Sequence, residues 1–164
     1  MTEEIENIKT TNQVKSKKRV TDHGEVFTSE REVNAMLDLV KQETERIDSR
    51  FLEPACGTGN FLVEVLRRKL TIVENRYKKS QLEFERYAVI AISSIYGVDI
   101  LEDNVMECRN RLFEIFDKKY TTFYKTKCKE ECRTSIKYIL ERNLLRGDAL
   151  TLKTVGNEDQ PIVF

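Results

Sequence analysis

One stretch limits the folds open to this chain more than any other: Phe51-Leu52-Glu53-Pro54-Ala55-Cys56-Gly57-Thr58-Gly59-Asn60-Phe61. The short apolar run Arg50-Phe51-Leu52-Glu53 ends at Pro54 and reads as a strand entering a loop. Phe61, Leu62, Val65, Leu66, Leu70 and Val73 then recur at the spacing of a buried helical face. Between the two, Gly57-Thr58-Gly59-Asn60 supplies residues that tight turns and helix starts favour. Strand, small-residue turn and helix together form a cradle. Glycines let the backbone approach a ligand closely, and the helix N-terminus offers unpaired amides to an anion.

The rest of the chain repeats the alternation. Residues 1–20 are polar, carry the basic cluster Lys15, Lys17, Lys18 and Arg19, and are expected to be a flexible lead; the folded domain is expected over 21–164. Ser29 and Glu32 have capping-box spacing, and Val33, Met36, Leu37 and Val40 mark one buried face behind them. Residues 74–86 are dense in charge and read as a solvated extension before a helix running to about Ser93. Ile95-Tyr96-Gly97-Val98-Asp99 reads as a second strand ending in a carboxylate, and Val105, Cys108, Leu112, Ile115 and Phe116 as the buried face of the next helix. The lysine-rich stretch 117–133 interleaves Tyr120, Phe123 and Tyr124; such rings can stack on bases but more commonly back a solvated helix. Ile136, Ile139 and Leu140 continue a helix, Asn143 to Asp148 gives a third strand and its turn, and Pro161 to Phe164 reads as a fourth strand. This order predicts an α/β fold: a parallel sheet with right-handed crossovers and helices on both faces. In such sheets the ligand sits beyond the carboxyl ends of the strands.

Composition narrows the partners. The 28 basic and 28 acidic residues balance, without the basic excess usual in a free-standing nucleic-acid binder. No apolar run approaches the roughly 20 residues of a membrane span, and Met1-Thr2-Glu3-Glu4 is no secretory or transit signal, so the cytoplasm is the expected location. Cys56, Cys108, Cys128 and Cys132 lack zinc-finger spacing; reduced thiols and no metal are expected.

The chemistry follows from the cradle. Its anion is a pyrophosphate in a dinucleotide site and can be the methionine carboxylate in an S-adenosylmethionine (SAM) site. Leu62 occupies the last glycine position of G-x-G-x-x-G, which counts against a dinucleotide. Acidic-Pro-Ala-x-Gly-x-Gly followed by an aromatic residue resembles the first motif of adenine-specific DNA methyltransferases, those of type I and type IIG restriction-modification systems especially. Three further stretches fall in that family's order. His23-Gly24-Glu25-Val26-Phe27-Thr28-Ser29 resembles the element that closes over the methionine end of SAM, with Ser29 replacing the usual proline. Tyr96-Gly97-Val98-Asp99-Ile100 resembles the second motif, whose carboxylate takes the ribose hydroxyls. Leu144-Leu145-Arg146-Gly147-Asp148-Ala149-Leu150 resembles the third, whose Asp reads the adenine amino group of the cofactor.

The resemblance spans roughly residues 18 to 164 and implies a Rossmann-like SAM-dependent fold with an incomplete parallel sheet flanked by helices. It implies cofactor contacts from Thr28, Glu53, Pro54, Ala55, Gly57, Gly59, Asn60, Phe61, Asp99, Ile100, Asp148 and Ala149. The family's catalytic loop, Asn/Asp-Pro-Pro-Tyr/Phe, has no counterpart: the only prolines are Pro54 and Pro161, so no catalytic residue is assigned. The expectation is a chain that binds SAM and methylates nothing by itself, as a fragment, one piece of a split enzyme, or a non-catalytic SAM-binding module. DNA would be reached through further C-terminal regions or a partner subunit, and an unpaired edge at the fourth strand would favour a homodimer. RNA or protein is the alternative methyl acceptor.

Overall fold

A computed structural model describes residues 14–156 apart from Gly24, together with 159–164, and of His23 the backbone only. Residues 1–13 of the expected lead thus lie outside the described residues, as do Gly24 and the His23 side chain. From Lys17 the chain is helical, α1 (Lys17–His23). Lys15 Nζ donates to Glu107 at 2.8 Å and to Asn104 Oδ1 at 3.0 Å, while Arg19 bonds Glu25 and, at 2.6 Å, Asp103.

Helix α2 (Glu30–Asp38) starts where the sequence predicts, with both hydrogen bonds of the Ser29–Glu32 capping box formed. Such a cap stabilises a helix by about 1 kcal/mol. Val33 and Leu37 are buried, but Met36 and Val40 are half exposed, contrary to the predicted four-residue face, because no element among the described residues covers that side. A single turn, α3 (Lys41–Thr44), leads to strand β1 (Phe51–Glu53). Helix α4 (Asn60–Tyr77) follows, then α5 (Gln81–Ser93). Only residues 78–80 interrupt them, so the charged stretch 74–86 is mostly helix; most of its charges face solvent, but Glu85 is buried beside Phe84, where it accepts hydrogen bonds from Tyr120 and Gln81.

Strand β2 (Ile95–Asp99) is followed by the 23-residue helix α6 (Glu102–Tyr124), a 3-10 turn at Lys125–Lys127, helix α7 (Glu130–Asn143), strand β3 (Leu144–Asp148) and the two-residue strand β4 (Lys153–Thr154). Tyr120 is fully buried, in ring contact with Phe84, Phe116 and Tyr124, so the aromatics of 117–133 form the apolar back of a helix bundle.

The sheet order is β1-β2-β3-β4, with β1, β2 and β3 parallel and β4 antiparallel. Strands that advance in one direction through right-handed crossovers carry both connections to one face. Accordingly α4, α5, α6 and α7 pack on one another and on the strands. The expectation of helices on both faces fails because the strand order never reverses. The opposite face leaves Leu52 exposed and receives the C-terminal residues: Phe164 lies edge-on to Tyr96 at 5.1 Å, and Ile162 closes on Gly147. Residues 161–164 therefore do not form the predicted fourth strand; only Pro161 makes an isolated bridge, to Lys153. The core is aliphatic and aromatic, with Leu66, Leu70, Phe84, Leu112 and Phe116 fully buried, each contributing about 1.5–3 kcal/mol of transfer free energy. No helix of the described residues is long and apolar enough to cross a membrane.

Candidate cofactor site

The three parallel strands each end in an acid: Glu53 on β1, Asp99 on β2, Asp148 on β3. Beyond those ends lies a cavity of about 480 Å³, within the roughly 300–1,000 Å³ of small-molecule sites. Thr28, Glu53, Pro54, Ala55, Gly57, Asn60, Phe61, Asp99, Ile100, Asp148 and Ala149 all line it. Gly59 does not. It caps α4 at φ +88°, and a Cβ there would sit 2.5 Å from Cys108 Sγ, so its place is the turn itself.

The turn is held from several sides. Cys56 N–H donates to Val98 O at 2.9 Å, carrying β1 onward along β2, and Gly59 N–H closes the turn on Cys56 O at 2.8 Å. Gly57, at φ +51°, donates its N–H to Asp99 Oδ2 at 2.9 Å. The other oxygen, Asp99 Oδ1, accepts from Leu101 N–H at 2.9 Å and Asn104 Nδ2 at 3.3 Å. The carboxylate at the tip of β2 thus stands beside the glycine turn, where the sequence reading requires it. Asp148 Oδ1 accepts from Leu150 N–H at 2.8 Å in an Asx turn, which presents Leu150, almost wholly exposed, at the cavity rim.

Electrostatics distinguish the two ends. Burial pushes the Glu53 carboxyl above its ordinary pKa, partly offset by the Ala55 amide, and no cation stands beside it among the described residues. A half-buried, unpaired carboxylate suits a cationic ligand group. Glu25 is the contrast. Burial works against its carboxylate, but hydrogen bonds from Arg19 and Asn104 outweigh it and hold the pKa low. Arg19 likewise holds Asp103 down to about 2. Cys56 is buried, and its thiol is pushed well above the ordinary range by the Cys108 thiol and by desolvation, which leaves it no nucleophile.

A family model described as MmeI, DNA-methyltransferase domain, matches residues 15–154. The chain belongs to that family. The resemblance to restriction-modification DNA methyltransferases, read from four short stretches, is borne out over most of the chain. No curated protein and no solved structure matches it.

The methyltransferase domain also uses residues that motif reading missed. Glu25, Asn104, Leu101, Gly147 and Leu150 line the cavity as well. Asn104, Cys108 and Arg111 lie four and three residues apart on α6, one helical face, and all three touch the strand-end machinery. The available signal was a polar residue at each end of an otherwise buried stripe, on the helix directly after Asp99.

Proposed function

We propose that this chain is the SAM-binding portion of an adenine-specific DNA methyltransferase of a restriction-modification system. The observation that carries the reading is the row of three acids on successive strand ends, facing one cavity beside a glycine turn and a free helix start. In this reading Asp99 takes the ribose hydroxyls through Oδ2, which accepts the Gly57 N–H and keeps a second lone pair, while Oδ1 is occupied by Leu101 and Asn104. Asp148 meets the adenine amino group, with Ile100 and Ala149 flanking the ring. Glu53, Pro54, Ala55, Phe61 and Thr28 surround the amino-acid end, where the unpaired Glu53 carboxylate complements positive charge. SAM supplies a methyl group on a sulfonium, a leaving group that needs little acid or base help, so the residues of this chain contribute by binding and orienting.

The 164 residues contain no Pro-Pro pair, so we assign the chain no methyl transfer of its own. That same absence favours one other reading, a SAM-binding module without catalysis. DNA contact would come through further regions or a partner subunit, and the cytoplasm is the compartment that suits a DNA-modifying enzyme of this kind. Calorimetry with SAM on the wild type and Asp99→Ala tests the site. Binding weakened about tenfold or more is expected, the cost of a lost charged hydrogen bond; equal binding in the mutant rejects the ribose assignment. Tritium transfer to mixed-sequence DNA should give no product from the chain alone, and robust methylation would overturn that part of the reading.

A further inference from the structure

The glycine turn rests on a guanidinium. Arg111 Nη1 donates to Thr58 O at 2.6 Å, to Thr58 Oγ1 at 3.2 Å and to Asn60 Oδ1 at 2.8 Å. Arginine has no acceptor, so this contact fixes which way the Asn60 amide faces: oxygen toward Arg111, nitrogen away. The freed Nδ2 donates to Thr28 O at 3.0 Å. Thr28 sits in the segment that walls the cavity from the N-terminal side, more than thirty residues before the turn in sequence, and Asn60 is the side chain that ties the two together. Arg111 in turn sits on a helix fixed to the sheet, since Arg109 donates to Leu144 O at the start of β3. None of these hydrogen bonds is made to Asp99, Ile100, Asp148 or Ala149; Asp99 is held instead by the backbone amides of Gly57 and Leu101, and Asp148 by that of Leu150.

We propose that Arg111 is a positioning residue for the amino-acid end of the bound cofactor, acting through Asn60 on Thr28. It rests on the SAM reading. The relay sets Thr28 and the first turn of α4 at a fixed separation, and the methionine end must fit between them. The nucleoside end is held by different residues. Removing the guanidinium therefore loosens one half of the site and leaves the other. A lysine at 111 keeps the charge, but its ammonium ends one bond short of Nη1, the single nitrogen that reaches both Thr58 and Asn60.

The test compares two ligands in calorimetry: SAM, and 5′-methylthioadenosine, which keeps the nucleoside and lacks the amino-acid end. Arg111→Ala, Arg111→Lys and Asn60→Asp are set against the wild type, with circular dichroism confirming the fold of each. Asn60→Asp keeps the acceptor for Arg111 and deletes the donor to Thr28, so it cuts only the second link. For all three variants SAM affinity should fall about tenfold or more while methylthioadenosine affinity stays within about twofold, as expected when a charged hydrogen bond is misplaced at one end only. Equal losses for both ligands would mean that Arg111 merely supports the fold, and unchanged affinity for SAM would mean that the relay positions nothing; either overturns the inference. A wild type that binds neither ligand fells the SAM reading and this inference with it. A wild type that binds both, with Asp99→Ala weakening both, keeps that reading whatever the Arg111 variants do.

Discussion

Gly59 shows how tightly a single residue can be held without lining the cavity. Its φ of +88° suits glycine, and the side of α6 that carries Cys108 stands where a side chain would go. Gly59→Ala should destabilise the chain by about 2–4 kcal/mol, combining left-handed strain with overpacking. Adding Cys108→Ala should recover the steric part and leave the strain, which urea titration of the single and double variants would measure; full recovery would show that φ costs nothing here. Gly59 was expected to meet the cofactor because glycine-rich turns are read as one unit. The three acids were legible for a better reason: each follows its own apolar run directly, so strand and strand end are written side by side. Arg111 and Asn104 were not legible. Their partners lie at Thr58, Asn60 and Glu25, brought near only by the packing of α6 beside the turn and of the segment at Glu25 against α6.

Among the elements, α4 does two jobs. Its N-terminus faces the cavity, while two turns further along it buries Lys69 completely. The Lys69 ammonium donates to Ile47 O at 3.2 Å, to Ser49 O, and to Ser94 Oγ at 2.5 Å, which fastens α4 to the chain before β1 and to the end of α5. Burial pushes its pKa down to about 8. The unfolded chain, at the ordinary value of about 10.4, then binds more protons than the folded one between those two values, so stability contributed through this group rises with pH across that window. Raised thiol pKa values at Cys56 and Cys132 act in the opposite sense near the same pH. The clean measurement is therefore the difference in unfolding free energy between wild type and Lys69→Met. It should shift in favour of the wild type by an amount of the order of 2–3 kcal/mol from pH 7.5 to 10. A difference independent of pH would show that Lys69 stays charged when buried. Sequence periodicity located α4 but left Lys69 out of its buried face, because such a face is assigned by apolar residue type and this ammonium finds its partners outside the helix.

For the molecule as a whole, the open side of the sheet is β1, not the segment at 161–164. Beside it, Met36, Val40 and Leu52 are exposed and line one apolar groove together with Phe51 and Phe61. Among the described residues no strand pairs with the outer side of β1, and a strand edge flanked by apolar side chains is a template for pairing with another chain. We propose that two copies associate there. Sedimentation should show self-association rising with concentration, and Leu52→Lys should suppress it; a monomer at every concentration refutes the idea. The alternation of strands and helices was enough to give the parallel sheet. Its one-sided helix layer was not foreseen, since that depends on strand order, which pattern alone does not encode.

The cavity draws its walls from both ends of the chain: Glu25 to Thr28 on one side, Gly147 to Leu150 on the other. During synthesis the ribosome releases the first wall more than a hundred residues before the last. A nascent chain therefore carries its glycine turn and first wall for most of translation before the second wall exists. Mass action can favour the folded state only when a ligand finds a finished site. A ligand that needs both walls can thus stabilise this protein only after Leu150 has emerged, and every shorter intermediate must stand on its hydrophobic core alone.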